Sequence, residues 1–92
     1  PLSAAEVDRA LAPVALLKPR CYQNSQSQRE HNKLRLEFIL YVDERGSVRS
    51  QPVLGDQRDP QLTECMRRGL DTLRFPAKGE AEQLRLNFEL GP

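Results

Sequence analysis

The sequence predicts an α+β domain in which two helices pack on one face of a three-stranded antiparallel or mixed sheet. The predicted order is helix–strand–strand–helix–strand. Two segments carry apolar residues at steps of three and four, which is typical of amphipathic helices. Three other segments carry them at every second position, which is typical of half-buried strands. With 92 residues and no internal repeat, we expect a single domain covering residues 1–92.

The first helical pattern covers residues 4–23. Ser3 and Glu6 have the spacing of a capping box, in which each side chain accepts a hydrogen bond from the backbone N–H of the other residue. Pro13 interrupts the pattern, because a proline inside a helix removes one backbone hydrogen bond and clashes with the preceding turn. We therefore expect a helix that is kinked or broken near Pro13.

Residues 24–32 are polar and predict an exposed loop. His31, the only histidine, lies in this loop. A general base needs a nucleophile or carboxylate partner, and the sequence places neither beside His31, so we interpret it as a solvated side chain. Together with Cys21 and Cys65 it provides too few nitrogen and sulfur ligands for a tetrahedral zinc site.

A β-hairpin follows the loop. Lys33 to Asp43 alternates apolar with mixed residues and predicts the first strand. Gly46 lies in the turn, where a left-handed backbone conformation is needed. The second predicted strand, Ser47 to Leu54, contains Pro52. Because proline cannot donate a hydrogen bond to a neighbouring strand, this strand should lie at an edge of the sheet.

The second helix has clear signals at both ends. Asp59 is a good N-cap and Pro60 suits the first helical position. Pro76 disfavours helical backbone in the residue before it, so the helix should end at Arg74 or Phe75.

Two further features complete the predicted core. Gly69 lies on the apolar stripe of the second helix, which predicts close packing against the first helix or the sheet. The last strand, Gln83 to Leu90, alternates leucine and phenylalanine with polar residues, so one of its faces should be buried.

The composition excludes several functional classes. The net charge of +1 lacks the basic excess of a nucleic-acid-binding domain. No nucleophile–base pair or carboxylate pair indicates catalysis, so we expect no enzymatic activity, no cofactor and no small-molecule substrate. No apolar run approaches the roughly 20 residues that cross a bilayer. The chain begins at Pro1 rather than methionine, which predicts a piece of a longer, membrane-anchored protein.

Cys21 and Cys65 both lie on the apolar stripes of the predicted helices. One interpretation is two free thiols that act as small core side chains. The other is a disulfide between the helices, which would require an oxidising compartment. The positions of the residues leave both interpretations open.

Several short motifs follow one another along the chain: Cys21-Tyr22 at the end of the first helix, Leu36 to Ile39 in the first strand, Gly46-Ser47-Val48, Cys65 on the second helix, and Arg74-Phe75-Pro76. In this order they resemble the TonB-like C-terminal domain of myxobacterial gliding-motility proteins of the AgmX/PglI type. The resemblance covers nearly the whole chain. It favours a Cys21–Cys65 disulfide.

The resemblance also implies a function. It predicts a non-catalytic periplasmic interaction domain at the end of an inner-membrane protein, within an envelope-spanning gliding complex driven by the proton-motive force. Its partner would be a periplasmic or outer-membrane protein or peptide. The alternative is an energy-transducing domain of the TonB or TolA type that serves outer-membrane transport.

The predicted binding surface is the last strand. Pro52 places the second strand at one edge, and the most apolar strand, the first, belongs in the middle. The last strand then forms the open edge, which can accept an extended peptide by β-augmentation. TonB-like domains hold partner peptides at this strand, so the resemblance indicates the same place. The other interpretations are an idle edge or a homodimer. The predicted partner-binding residues are Gln83, Leu84, Arg85, Leu86, Asn87, Phe88 and Glu89.

Overall fold

The computed structural model describes residues 1–55 and 57–92. In these residues the helices are α1 (Ala4–Leu11), α2 (Val14–Tyr22), α3 (Gln26–Arg29) and α4 (Pro60–Leu70), and the strands are β1 (Leu34–Val42), β2 (Val48–Leu54) and β3 (Glu82–Leu90). The strands form one antiparallel sheet in the order β2-β1-β3. The predicted fold class, element order and strand order are confirmed.

The core lies between one face of the sheet and the helices. Every second residue of β1 from Leu34 to Val42 is buried. Phe38 lies at the centre of this row, and its ring centroid is 6.1 Å from that of Phe88 on β3. Met66 of α4 is fully buried in the same cluster. The predicted buried faces of the first and last strands are therefore confirmed.

The first helical segment is broken at Pro13, as predicted. α1 ends at Leu11, and Pro13 occupies the N-cap position of α2. The predicted capping box is also present: Glu6 N donates to Ser3 Oγ at 3.1 Å, and Ser3 N donates to Glu6 Oε1 at 2.9 Å. These local bonds satisfy backbone groups that the first helical turn leaves free.

The prediction of a wholly exposed loop over residues 24–32 is wrong. The segment contains the short helix α3, and Ser27 within it is buried. Ser27 N and Oγ donate to Asp59 Oδ2 at 2.9 and 2.7 Å. The second carboxylate oxygen of Asp59 caps α4 by accepting from Leu62 N. The Asp59 carboxylate thus caps α4 and also binds Ser27, which lies 32 residues earlier in the sequence.

The helix α4 ends at Leu70, earlier than the predicted Arg74 or Phe75. The chain beyond it is drawn onto the sheet: Arg74 forms a bridge with Ser47, and Phe75 N donates to Gly46 O at 2.9 Å. Gly46 has a φ of +87°, and a side chain there would collide with Phe75 O. The glycine thus serves both the hairpin turn and this close backbone approach.

A disulfide between Cys21 and Cys65 joins α2 to α4, with the two Cα atoms 5.7 Å apart. The bridged interpretation of the cysteines is therefore confirmed. Gly69 of α4 packs directly against Leu17 of α2, and a side chain at Gly69 would overlap that leucine. The predicted close packing at Gly69 is made with α2 rather than with the sheet.

Candidate functional site

β3 forms one outer edge of the sheet. It pairs with β1 over its whole length, from Leu34 opposite Leu90 to Val42 opposite Glu82. Among the described residues, no strand lies on its other side. The structure therefore places the whole segment 83–89 on an unpaired edge.

The hydrogen-bond pattern shows which β3 amides face outward. Alternate residues of an antiparallel strand direct their backbone N–H and C=O groups to opposite sides. Ser50 N donates to Asp71 on the outer side of β2, whereas Asp43 N donates to Ser47 O between β1 and β2. Odd-numbered β1 residues therefore bond to β2, and even-numbered ones bond to even-numbered residues of β3. The residues of segment 83–89 with outward-facing amides are Gln83, Arg85, Asn87 and Glu89.

The side chains of these four residues are exposed on the sheet face away from the helices. Arg85 donates to Glu37 on β1 at 2.9 Å, and Lys33 lies 3.6 Å from the Glu89 carboxylate. Arg85 and Glu89 thus each have a partner of opposite sign, on β1 or just before it. Charge protects an edge by repelling other strands, and paired charges of both signs do so weakly.

The helix-facing side of β3 is covered unevenly. Phe88 and Leu90 are buried, whereas Leu84 and Leu86 are only half-buried. A strand added beside β3 would remove more of these two leucines from water. At the Leu90 end lies a cleft of about 330 Å³, lined by Lys18, Pro19, Tyr22, Glu89, Leu90 and Gly91.

The segment from Leu2 to Tyr22, which contains α1 and α2, is attached near both ends of β3. At its start, Leu2 N donates to Glu82 Oε1 at 3.0 Å. At its end, the Tyr22 hydroxyl donates to Asn32 O at 2.7 Å, beside Gly91. These contacts fix the start of the segment beside Glu82 and its end beside Gly91.

An ion pair adds to the anchor at the start of β3. Lys78 Nζ lies 2.7 Å from Glu6 Oε2 and so connects α1 to the loop that leads into β3. The hydrogen bond from the Lys78 ammonium, followed by the one from the Ser3 backbone N–H, lowers the pKa of Glu6 from 4.5 to about 2. Both interactions favour the charged carboxylate.

Two features limit the pairing of another strand with the opposite edge, β2, which we call the closed edge. Pro52 has no N–H group to offer, and its outward position agrees with the edge location predicted for it. Ser50 N and Oγ both donate to Asp71 Oδ1 at 2.7 Å, and Oγ also lies 2.9 Å from Arg67 O. No motif in the sequence indicates a role for Ser50 or Asp71. Neither residue has a local signal, because their contact depends on how α4 lies against β2.

The described part of the chain shows no arrangement that indicates metal chemistry. Over residues 1–55 and 57–92, no three His, Cys, Asp or Glu side chains come together as metal ligands. His31 is exposed on a left-handed backbone with a φ of 56°. Both cysteines are used in the disulfide.

None of the described helices has the length and apolar character needed to cross a membrane.

Comparison with known proteins identifies no relative: no family model, curated protein or solved structure matches this chain.

Proposed function

We propose that this domain is a non-catalytic, periplasmic protein-interaction domain that binds an extended segment of a periplasmic or outer-membrane protein as a new strand beside β3. The observation that carries the proposal is the unpaired β3 edge, with outward amides at Gln83, Arg85, Asn87 and Glu89. An added strand obtains affinity from main-chain hydrogen bonds and selectivity from alternate side chains. Closure of the β2 edge leaves β3 as the side of the sheet that can accept it.

The surroundings of β3 favour a bound segment of alternating polarity. Side chains of the added strand that lie on the helix side would contact the half-buried Leu84 and Leu86. Those on the other face would lie beside Arg85, Asn87 and water. Residues that lie opposite one another on neighbouring strands share a face, so apolar residues should occupy every second position of the partner.

The disulfide between α2 and α4 supports the proposed compartment. Disulfides persist in oxidising environments such as the periplasm and are rare in the cytosol. Resemblance to TonB-like domains of gliding proteins further supports an attachment to the inner membrane and a role in an envelope-spanning motility complex. In the alternative, transport, the same edge would bind an outer-membrane receptor. Neighbouring genes that encode gliding subunits or transport receptors would distinguish the two roles.

The test uses two substitutions at one residue. Asn87→Pro removes an outward N–H and keeps the bonds to β1, whereas Asn87→Ala keeps that N–H and removes only the side chain. Each variant is used as bait in envelope extract, with a photocrosslinker on β3 to locate the bound segment. We expect the wild type and Asn87→Ala to capture the same partner and Asn87→Pro to lose it.

Circular dichroism establishes that each bait is folded. Proline variants at positions 85 and 89 test the other outward amides of the strand. Partner capture that survives in all three folded proline variants would place the binding surface elsewhere on the domain.

A further inference from the structure

We propose that β3 also pairs with β3 of a second copy of this chain, which forms a two-fold symmetric dimer with one continuous six-stranded sheet. The dimer does not depend on the proposed function. One consequence does rest on it: a β3 edge occupied by a second copy is closed to the partner segment, so dissociation would regulate access.

The alternation of the backbone restricts the possible registers. In an antiparallel pair, residues with outward-facing amides must lie opposite one another. The outward residues of β3 are odd-numbered. Odd-numbered residues of one copy must therefore lie opposite odd-numbered residues of the other, and even-numbered opposite even-numbered. Registers that keep at least three opposed pairs of outward residues within segment 83–89 are centred on Arg85, Leu86 or Asn87.

Charge favours the register centred on Asn87. There, Arg85 lies opposite Glu89 of the second copy, and two-fold symmetry creates this pair twice. Arg35 of β1 lies opposite Glu89 on its inner side, so each Glu89 carboxylate would have an arginine on both sides. Cross-strand pairs of opposite charge stabilise a sheet, and like charges directly opposite destabilise it. A centre at Arg85 would place the two arginines opposite each other.

The helix-facing residues favour the same register. With Asn87 at the centre, Leu86 lies opposite Phe88 of the second copy, and Leu84 lies opposite Leu90. Every pair on this side is then apolar, and the cleft beside Leu90 is positioned to receive Leu84 of the second copy. A centre at Leu86 gives one more pair of outward residues. However, it places the Glu82 carboxylate opposite Leu90 and leaves Arg85 opposite an asparagine.

The dimer should be weak. Two single strands in contact bury little surface, and interfaces below about 1,200 Å² are typical of transient complexes. The second copy therefore competes with a partner segment without blocking the edge permanently. The monomer–dimer equilibrium should depend on protein concentration.

The test is sedimentation equilibrium of the oxidised domain over about a hundredfold range of protein concentration. The wild type should show a monomer–dimer equilibrium. Arg85→Glu places two acidic residues at each charge pair, and Glu89→Arg places two basic ones. Each variant alone should dimerise at least about tenfold more weakly than the wild type.

Mixing the two variants provides the decisive measurement. One copy then has glutamate at both positions 85 and 89 and the other has arginine, so both cross-strand pairs form again. We expect a heterodimer within about threefold of the wild-type affinity. Arg49→Glu is the matched control, since it reverses an exposed charge on β2 and should leave the dimer unchanged.

Three results would overturn the dimer: a monomeric wild type at every concentration, single variants that dimerise normally, or folded single variants whose mixture stays monomeric. Partner capture reports separately on the proposed function. If the wild type is monomeric and captures its partner, but the Asn87→Pro variant does not, only the dimer is overturned. A dimer whose folded proline variants all keep the partner would overturn only the binding surface proposed for the partner.

Discussion

The two edges of this sheet differ in what their outward backbone groups can do. On β2, Pro52 lacks an N–H and the N–H of Ser50 is bonded to Asp71. On β3, the outward groups extend from Gln83 to Glu89, with no strand beside them in the described residues. Proteins generally protect edge strands, because unpaired backbone groups invite pairing with other chains. Under the proposed function, the open β3 edge is the surface to which a partner strand would be added.

The edges also differ in how the helix layer is attached beside them. Next to β2, Ser50 is joined to α4 and Asp71 by short, partly buried hydrogen bonds. Next to β3, α1 is attached through the ion pair between Glu6 and Lys78, together with the Leu2–Glu82 hydrogen bond. The attachment beside the open edge therefore includes an ion pair between two segments of the chain, which salt weakens.

The largest loss of stability should come from a change in β1, the central strand that pairs with both edge strands. Phe38 of β1 is fully buried at the centre of the core. Phe38→Ala should lower the free energy of unfolding by about 3–5 kcal/mol, because it creates a large cavity. Phe88→Ala on β3 should fall in the lower part of that range, since Phe88 retains some exposure. Urea denaturation measures both. Values within error of zero would show that the strand faces are assigned wrongly.

The disulfide joins α2, which contacts β3, to α4, which packs against β2. Cys65→Ser should lower the free energy of unfolding by roughly 2–5 kcal/mol, because the unfolded chain is no longer restricted by the 44-residue separation of the cysteines. The measurement is chemical denaturation of variant and wild type, with the reduced wild type as control. Intact mass after alkylation without reductant checks the bridge itself; labelling of both thiols in protein from an oxidising compartment would contradict it.

Removing the Asp71 carboxylate, which accepts a hydrogen bond from the outward N–H of Ser50 on β2, should cause an intermediate loss of stability. Asp71→Ala leaves the partly buried N–H of Ser50 without its acceptor and should cost about 1–3 kcal/mol. Amide exchange at Ser50 should accelerate in the same variant. Asn87→Ala on the open edge is the matched control and should change stability little. Equal costs at the two positions would remove the distinction between the edges.

The attachment beside the open edge should titrate in acid. Because the pKa of Glu6 is lowered to about 2, its stabilising effect is complete above pH 4.5 and is lost as the pH falls from 4.5 towards 2. Glu6→Gln should therefore flatten the pH dependence of the free energy of unfolding over this range. Asp8→Asn, which alters an exposed carboxyl on the same helix, is the control. An unchanged pH profile in Glu6→Gln would contradict the role of the ion pair.

The mildest test leaves the sequence unchanged. In dilute protein, the amides of Gln83, Arg85 and Asn87 should exchange at least about a hundredfold faster than those of Leu84 and Leu86, which bond to β1. Hydrogen exchange followed by NMR resolves each residue. Protection on even and odd residues alike would mean that the outer edge is covered in the monomer.

Local patterns predicted much of the fold. The alternation in β1 and β3, the cap at Asp59 and the break at Pro13 all follow from interactions within a few residues. Pro52 also allowed the strand order to be predicted, because a strand that lacks a backbone N–H is favoured at the edge of a sheet. The open edge at β3 followed from that order.

The structure alone revealed what depends on distant parts of the chain. Ser27 lies in a polar segment with every local sign of exposure, yet it is buried and donates two hydrogen bonds to the distant Asp59. α4 stops at Leu70 because the residues after it bond to the hairpin.

What the sequence by itself determined is the type of each main element, the buried face of the first and last strands and the position of β2 at an edge. These depend on the spacing of apolar residues and on the missing proline N–H, which are properties of the local chain. Only the tertiary structure decided that Asp71 caps Ser50 and which amides of β3 face outward. The cap depends on how α4 docks against β2, and the direction of each amide depends on the register between strands. Neither is encoded in a short stretch of residues.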